Sequence, residues 1–273
     1  MDVRNRLDKE HGFVFLDSDH GLSLSADFLL RVALGRVPGA TRVAALGYNP
    51  AINQAGVPAD TWGGAGLYPL MPSALALQIA SGSALDTAAG TGARSVLVVG
   101  TDINYVPMTE LIALAGTSQV PLTKAFYRIN AALVMSAGSL ETNQAPISIT
   151  RVTGGALQAV IATYVGATEQ SYYTVAAGHT LLLFNVDVEL NEGLGGQDRF
   201  ADVRTLFRNS AGFYRMPRRL SVNDKNPANL TPRTFIALTE KTDFSLRCTY
   251  VSNDSTAVTA GWEGVLFDNS KFW

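Results

Sequence analysis

Along much of this chain apolar and polar residues alternate with the period of two that a strand buried on one face imposes. In the stretch 186–191, for example, Val186, Val188 and Leu190 fall on one side and Asp187, Glu189 and Asn191 on the other. Short runs rich in Thr, Val, Ala and Ser recur between turn residues, which is the pattern of β-sandwiches and jelly rolls. The spacing predicts strands over 42–46, 74–81, 94–99, 109–114, 120–124, 126–137 and 147–150 in the first half. In the second half it predicts strands over 158–165, 180–190, 202–208, 213–220, 233–239, 244–250 and 257–267. Ser252-Asn253-Asp254-Ser255 would turn the last two as a hairpin, with Phe244, Leu246, Cys248 and Tyr250 sharing one face. A single helix is predicted over 26–34, capped by Ser25 and stopped by Gly35.

These elements imply an all-β chain of two β-sandwich or jelly-roll-like domains preceded by an N-terminal arm or short helix. The expected boundaries are 1–41 for the arm, 42–153 for the first domain and 154–273 for the second, with Gly154-Gly155 as linker. Residues 49–72 interrupt the first domain with Pro50, Pro58, Pro69 and Pro72, four glycines, and the aromatic anchors Trp62 and Tyr68. A long ordered loop of this kind is a candidate contact surface.

Composition narrows the function. Charged residues are 16% of the 273, against about 25% in an average soluble protein, so neighbouring subunits are expected to cover part of the surface. The 21 Lys and Arg against 23 Asp and Glu argue against nucleic acid as the main partner, since phosphate binding needs a basic excess. The longest apolar runs, 95–100 and 180–184, fall far short of the ~20 residues of a membrane helix, and residues 1–10 lack the apolar core of an export signal. Cys248 is the only cysteine, expected as a small buried hydrophobe.

Each chemical motif has a plainer structural reading. The run Asp86-Thr87-Ala88-Ala89-Gly90-Thr91-Gly92-Ala93-Arg94 is glycine-rich like a phosphate loop, but it precedes a strand where such a loop must precede a helix. It reads as a tight turn in which Gly90 and Gly92 supply positive φ and Asp86 caps. Asp187, Glu189, Asn191 and Asp198 imitate a calcium loop, with Glu192 where the obligatory glycine belongs. His11, His20 and His179 lack metal-ligand spacing, and no Gly-x-Ser-x-Gly elbow marks a nucleophile. The expectation is therefore a chain with no catalytic residue, metal or cofactor. Arg204, Arg208, Arg215, Arg218 and Arg219 stand among Phe207, Phe213 and Tyr214, the composition of an edge hairpin protected by charge, of an interface hot spot or, last, of a single-strand nucleic-acid platform.

Gly47-Tyr48-Asn49-Pro50, Trp62-Gly63-Gly64, Tyr68-Pro69, the run 81–94, Gly100-Thr101-Asp102 and Phe126-Tyr127-Arg128-Ile129 form a long ordered series. With the arginine segment and Glu240-Lys241-Thr242-Asp243-Phe244, it resembles a family of virion structural proteins of tailed bacteriophages over about residues 42–268. Thr101 departs from that pattern, which has an apolar residue there. The resemblance implies a non-enzymatic virion component, made in the host bacterial cytoplasm, homo-oligomeric and preferably trimeric, that binds other virion proteins of the capsid, neck or tail. Its place would be capsid decoration, head fibre, or a tail or neck component. The contact residues expected are Tyr48, Asn49, Trp62, Tyr68 and the five arginines, together with the N-terminal arm. The alternative is a carbohydrate-binding β-sandwich that holds a host glycan on Trp62, Tyr68 and Asn49.

Overall fold

The strand Ala40–Ile52 hydrogen-bonds along nearly its whole length to the equally long Thr256–Asp268. Residues from opposite ends of the sequence thus build one sheet. The computed structural model describes residues 14–15, 22–23, 26–190, 198–231 and 236–272, and within them the chain is all-β with two short helices. In the carboxy-terminal unit one sheet runs Ala40–Ile52, Thr256–Asp268, His179–Leu190, the last also pairing with Ala228–Leu230 and Ile236–Leu238. The second sheet runs Tyr173–Thr174, Asp243–Val251, Phe200–Arg208, and then both Tyr214–Arg215 and Arg219–Asn223. Between the two sheets Leu181, Leu183, Val186, Val188 and Trp262 meet Val203, Leu220, Phe244, Leu246 and Cys248 in one apolar cluster.

The other unit pairs a sheet of Leu157–Ile161, Ile147–Arg151, Leu77–Ser81 and Val120–Pro121 with a sheet of Pro107–Ala113, Ala93–Thr101 and Arg128–Ala137. Its cluster joins Leu77, Ile79, Ile147 and Ile149 to Val96, Val98, Ile112 and Ile129. Two clusters enclosed by two sheets each are the consequence of strands that are apolar on one face only.

Several sequence-based expectations change here. Ala40–Ile52 and Ala59–Asp60 belong by pairing to the carboxy-terminal unit, not to the first. Gly154 and Gly155 do not separate domains. Both have positive φ, 79° and 62°, and they turn the hairpin between Ile147–Arg151 and Leu157–Ile161, which pair antiparallel within one sheet. Gly90 and Gly92 have no positive φ. They are glycine because a Cβ would lie 2.1 Å from Leu85 O or from Asp86 Oδ1 respectively. Asp86 does cap: it is fully buried and accepts from Ser81 Oγ, Ala93 N and Gln144 N.

The 252–255 tip is not a hairpin either, because the strands on its two sides lie in different sheets. It is an arch from sheet to sheet, braced by Gln54, whose N–H donates to Asp254 Oδ1 and whose Nε2 donates to Ser252 O. Phe244, Leu246 and Cys248 do share the inner face, but the register slips by one residue between Cys248 and Tyr250, so Tyr250 stays half exposed and Val251 turns inward.

The helix Ala26–Ala33 ends one residue short of the expectation. It is no free arm: Phe28 and Val32 pack with Val37, Ala40, Val265 and Phe267 on the outside of the first-described sheet, with Leu182 and Phe184 against them. That packing explains why 180–184 is apolar without alternation, since both faces of the strand are covered there. Ser25, His11, His20 and most of 1–25 lie outside the described residues, as does Glu192.

Candidate interaction surface

The loop 53–72 folds inward. Trp62 and Tyr68 are buried, at 3% and 6% exposure, with their rings edge to face at 5.0 Å. Tyr68 stacks on Tyr172 at 4.3 Å and donates its hydroxyl to Gln158 O. Burial raises the Tyr68 phenol above its ordinary range. Trp62 Nε1 donates to Gly66 O. Asn49 is 1% exposed and donates Nδ2 to Asp60 O, while Tyr48 is half-buried on the strand Ala40–Ile52. Three of the four loop residues expected as contacts therefore join the two units from inside. Neither a glycan platform nor a docking surface is built from Trp62, Tyr68 and Asn49, because their polar atoms and ring faces are already engaged.

Around them a network of charges ties the units together. Arg128, 1% exposed, reaches Asp243 with Nε at 3.1 Å and Nη2 at 3.3 Å, and its Nη1 donates to Met71 O. Asp243 also accepts from Thr174 Oγ1 at 2.7 Å and from Arg208 Nη1 at 3.0 Å. Beside it Arg247 grips Asp60 through two bonds, 2.7 and 2.9 Å. Only a narrow cleft of about 10 Å³ remains between Tyr68, Tyr172, Arg208, Tyr214, Asp243 and Arg247. Its carboxylates are held by guanidinium groups, which is the arrangement of a structural clasp.

The five arginines of the sequence reading separate by role. Arg208 is a strut to Asp243. Arg219 pairs with Asp202 at 2.7 Å on the surface. Arg204 lies between Arg219 and Arg247 in cross-strand register, and Arg215 and Arg218 are exposed. Local chemistry shapes the segment. Asn209 accepts from Phe213 N at its side-chain Oδ1 and donates its own N–H to Phe213 O, Tyr214 and Arg215 pair back on Arg208 and Phe207, and Pro217 interrupts pairing before Arg219–Asn223 resumes it. The strand expected over 213–220 is thus two short ones. Between them the chain presents Phe213 at 69% exposure, Tyr214 at 50% and Met216 at 37% alongside Arg215, Arg218 and Arg219. Large exposed aromatics and Met among arginines form an uncommon surface for a chain without partners and a common one at interface centres.

A second surface escaped the sequence reading. On the outer face of the sheet Pro107–Ala113, Ala93–Thr101, Arg128–Ala137, Leu97 stands in register with Leu111 and Leu133, and Leu111 and Met135 are more than half exposed. The signal was present in Ser95-Val96-Leu97-Val98-Val99, which is apolar at both phases of the strand although only one phase reaches the core.

The remaining motif residues are structural. Asp187 and Glu189 point away from the core opposite Val186, Val188 and Leu190. His179 opens its strand with Nδ1 at 2.9 Å from Ala177 O. Cys248 is buried, and burial pushes its thiol up to about 11. Thr101, where the family pattern has an apolar residue, is buried with Oγ1 unpartnered among the described residues. Among the described residues no group of three or more His, Cys, Asp or Glu is placed to hold a metal.

No protein-family model matches the sequence, nor does any curated protein, so the family resemblance stands on the sequence pattern alone. Among solved structures the chain is similar to that of the infectious bursal disease virus Gx strain, with 10% identity, TM-score 0.25, and 85% of this chain and 73% of that one covered. It is similar too to the PBSX exported protein XepA, with 12% identity, TM-score 0.20, and 83% and 86% covered. A subviral particle of the VP2 protein of infectious bursal disease virus gives 9% identity and TM-score 0.24, over 86% of this chain and 73% of that one. At such scores the likenesses transfer neither a fold family nor a role.

Proposed function

We propose that this chain is a structural component of a bacteriophage particle, without catalytic activity, that assembles with other virion proteins and with copies of itself. The carrying observation is the exposed segment from Phe213 to Arg219, where three large apolar side chains and three arginines lie outside any core. The low charge of the chain, 16%, supports the same reading, as does the uncharged outer face around Leu111 and Met135. Two sandwich-like units clasped by Arg128 and Asp243 would serve as a rigid block that presents these surfaces. Trimeric association and a place in head, neck or tail follow only from the family resemblance. The glycan-binding alternative loses its residues, since Trp62, Tyr68 and Asn49 are buried.

The test replaces Phe213, Tyr214 and Met216 together by serine in a particle-assembly assay. Exposed side chains contribute little to folding, within about 0.5 kcal/mol each, so the denaturation midpoint should hold while incorporation into particles is lost. Normal incorporation of a folded triple variant would refute the proposal.

A further inference from the structure

The two outer faces of the carboxy-terminal unit carry opposite, unbalanced charge. On one sheet, facing away from the shared core, Asp187 and Glu189 on His179–Leu190 neighbour Glu263 on Thr256–Asp268. Only Glu263 has a cationic partner among the described residues, Arg42 at 2.9 Å. The groups around them are Asn185, Asn229 and Thr259. Burial, then Glu189 and Glu263, raise the Asp187 carboxyl above its usual range. On the opposite sheet Arg219, Arg204 and Arg247 stand side by side across three strands. Arg219 and Arg247 are paired to Asp202 and Asp60. Arg204 and the nearby exposed Arg218 have no ion pair among the described residues. Like charges in cross-strand register are destabilising, so each face lacks what the other has in excess.

We propose that copies of this chain join head to tail, the arginine face of one carboxy-terminal unit docking on the Asp187–Glu189–Glu263 face of the next. This rests on the arginine segment being an assembly surface and names a second copy as its partner. Patches on opposite sides of one unit make a heterologous contact, which closes into a ring or continues as a filament according to the rotation it imposes. An ion-paired interface between exposed groups weakens with salt, so assembly should be strongest in dilute buffer.

Sedimentation of the full chain tests this by charge reversal. Variant one carries Asp187→Lys and Glu189→Lys; variant two carries Arg204→Glu and Arg218→Glu. The unmodified chain should sediment above its 29.1 kDa monomer mass, and each variant alone as monomer. Their equimolar mixture should sediment above the monomer mass again, because the arginine face of variant one meets the acidic face of variant two. Unchanged denaturation midpoints show that the variants are folded. A monomeric unmodified chain, a variant that keeps the assembled mass, or a mixture that stays monomeric would each overturn head-to-tail docking. If variant two also fails to enter particles while variant one enters normally, the arginine segment serves a different virion protein, and the proposed function survives the loss of this inference.

Discussion

Asparagine at position 243 should cost this protein a large part of its stability, through one carboxylate. Asp243 is only 5% exposed at its side chain, as is Arg128 at 1%, and three groups from three segments converge on it: Arg128 Nε and Nη2, Arg208 Nη1 and Thr174 Oγ1. An amide in its place leaves Arg128 as a buried cation facing a neutral group. Removing one partner of a buried pair costs about 3–5 kcal/mol because the surviving charge cannot be rehydrated. For a chain of this size that corresponds to a fall in Tm of roughly 10 °C. Arg208 would lose its strut as well, and because Arg208 pairs with Tyr214, the exposed segment should loosen at its base. The comparison is Arg219→Met, which breaks the surface pair with Asp202, where Arg219 is 54% exposed. There the loss should stay under about 1 kcal/mol. Calorimetry on the two variants decides the matter. If Asp243→Asn lowers Tm no more than Arg219→Met does, the clasp between the units is not held by this charge network and the reasoning fails.

Three further outcomes are expected. Trp62→Ala should lower stability by about 3–5 kcal/mol, as for a large buried aromatic, read from urea denaturation; a change below about 1 kcal/mol would return Trp62 to the surface. Gly92→Ala should destabilise by about 1–3 kcal/mol, because its Cβ would fall 2.1 Å from Asp86 Oδ1, and the same denaturation measurement checks it. Cys248 should resist a thiol reagent at pH 8 in the native state and react once unfolded: its thiol, raised to about 11, stays protonated there, whereas the unfolded thiol at about 8.5 is partly ionised. The stabilisation from this shift is full at pH below the unfolded value and is lost as pH rises towards 11. Rapid native labelling would contradict the burial of the thiol.

The alternation of residues by itself located most of the strands and, where no bulge intervenes, their buried faces. Periods such as Val186, Val188 and Leu190 against Asp187 and Glu189 are local, and a strand with one buried face has few other ways to write itself. Gly154-Gly155 reads in sequence as a linker yet turns a hairpin, because glycine offers positive φ in either setting and only the pairing of the flanking strands tells them apart. Partnership was not legible. That Ala40–Ile52 pairs with Thr256–Asp268 depends on which sheet edge is left open once all other strands have paired, over more than two hundred residues of sequence. The role of aromatics and charges was decided at that level too. Trp62 and Tyr68 look alike in sequence to Phe213 and Tyr214, each pair lying in a turn-rich segment with polar neighbours, yet the first pair closes the seam between two units and the second is exposed. The physical reason is that burial is a property of what packs opposite a residue. For Trp62 that is Tyr68 and the bridge to Gln170, whereas too little of the chain lies opposite Phe213 to cover it, and it stays 69% exposed.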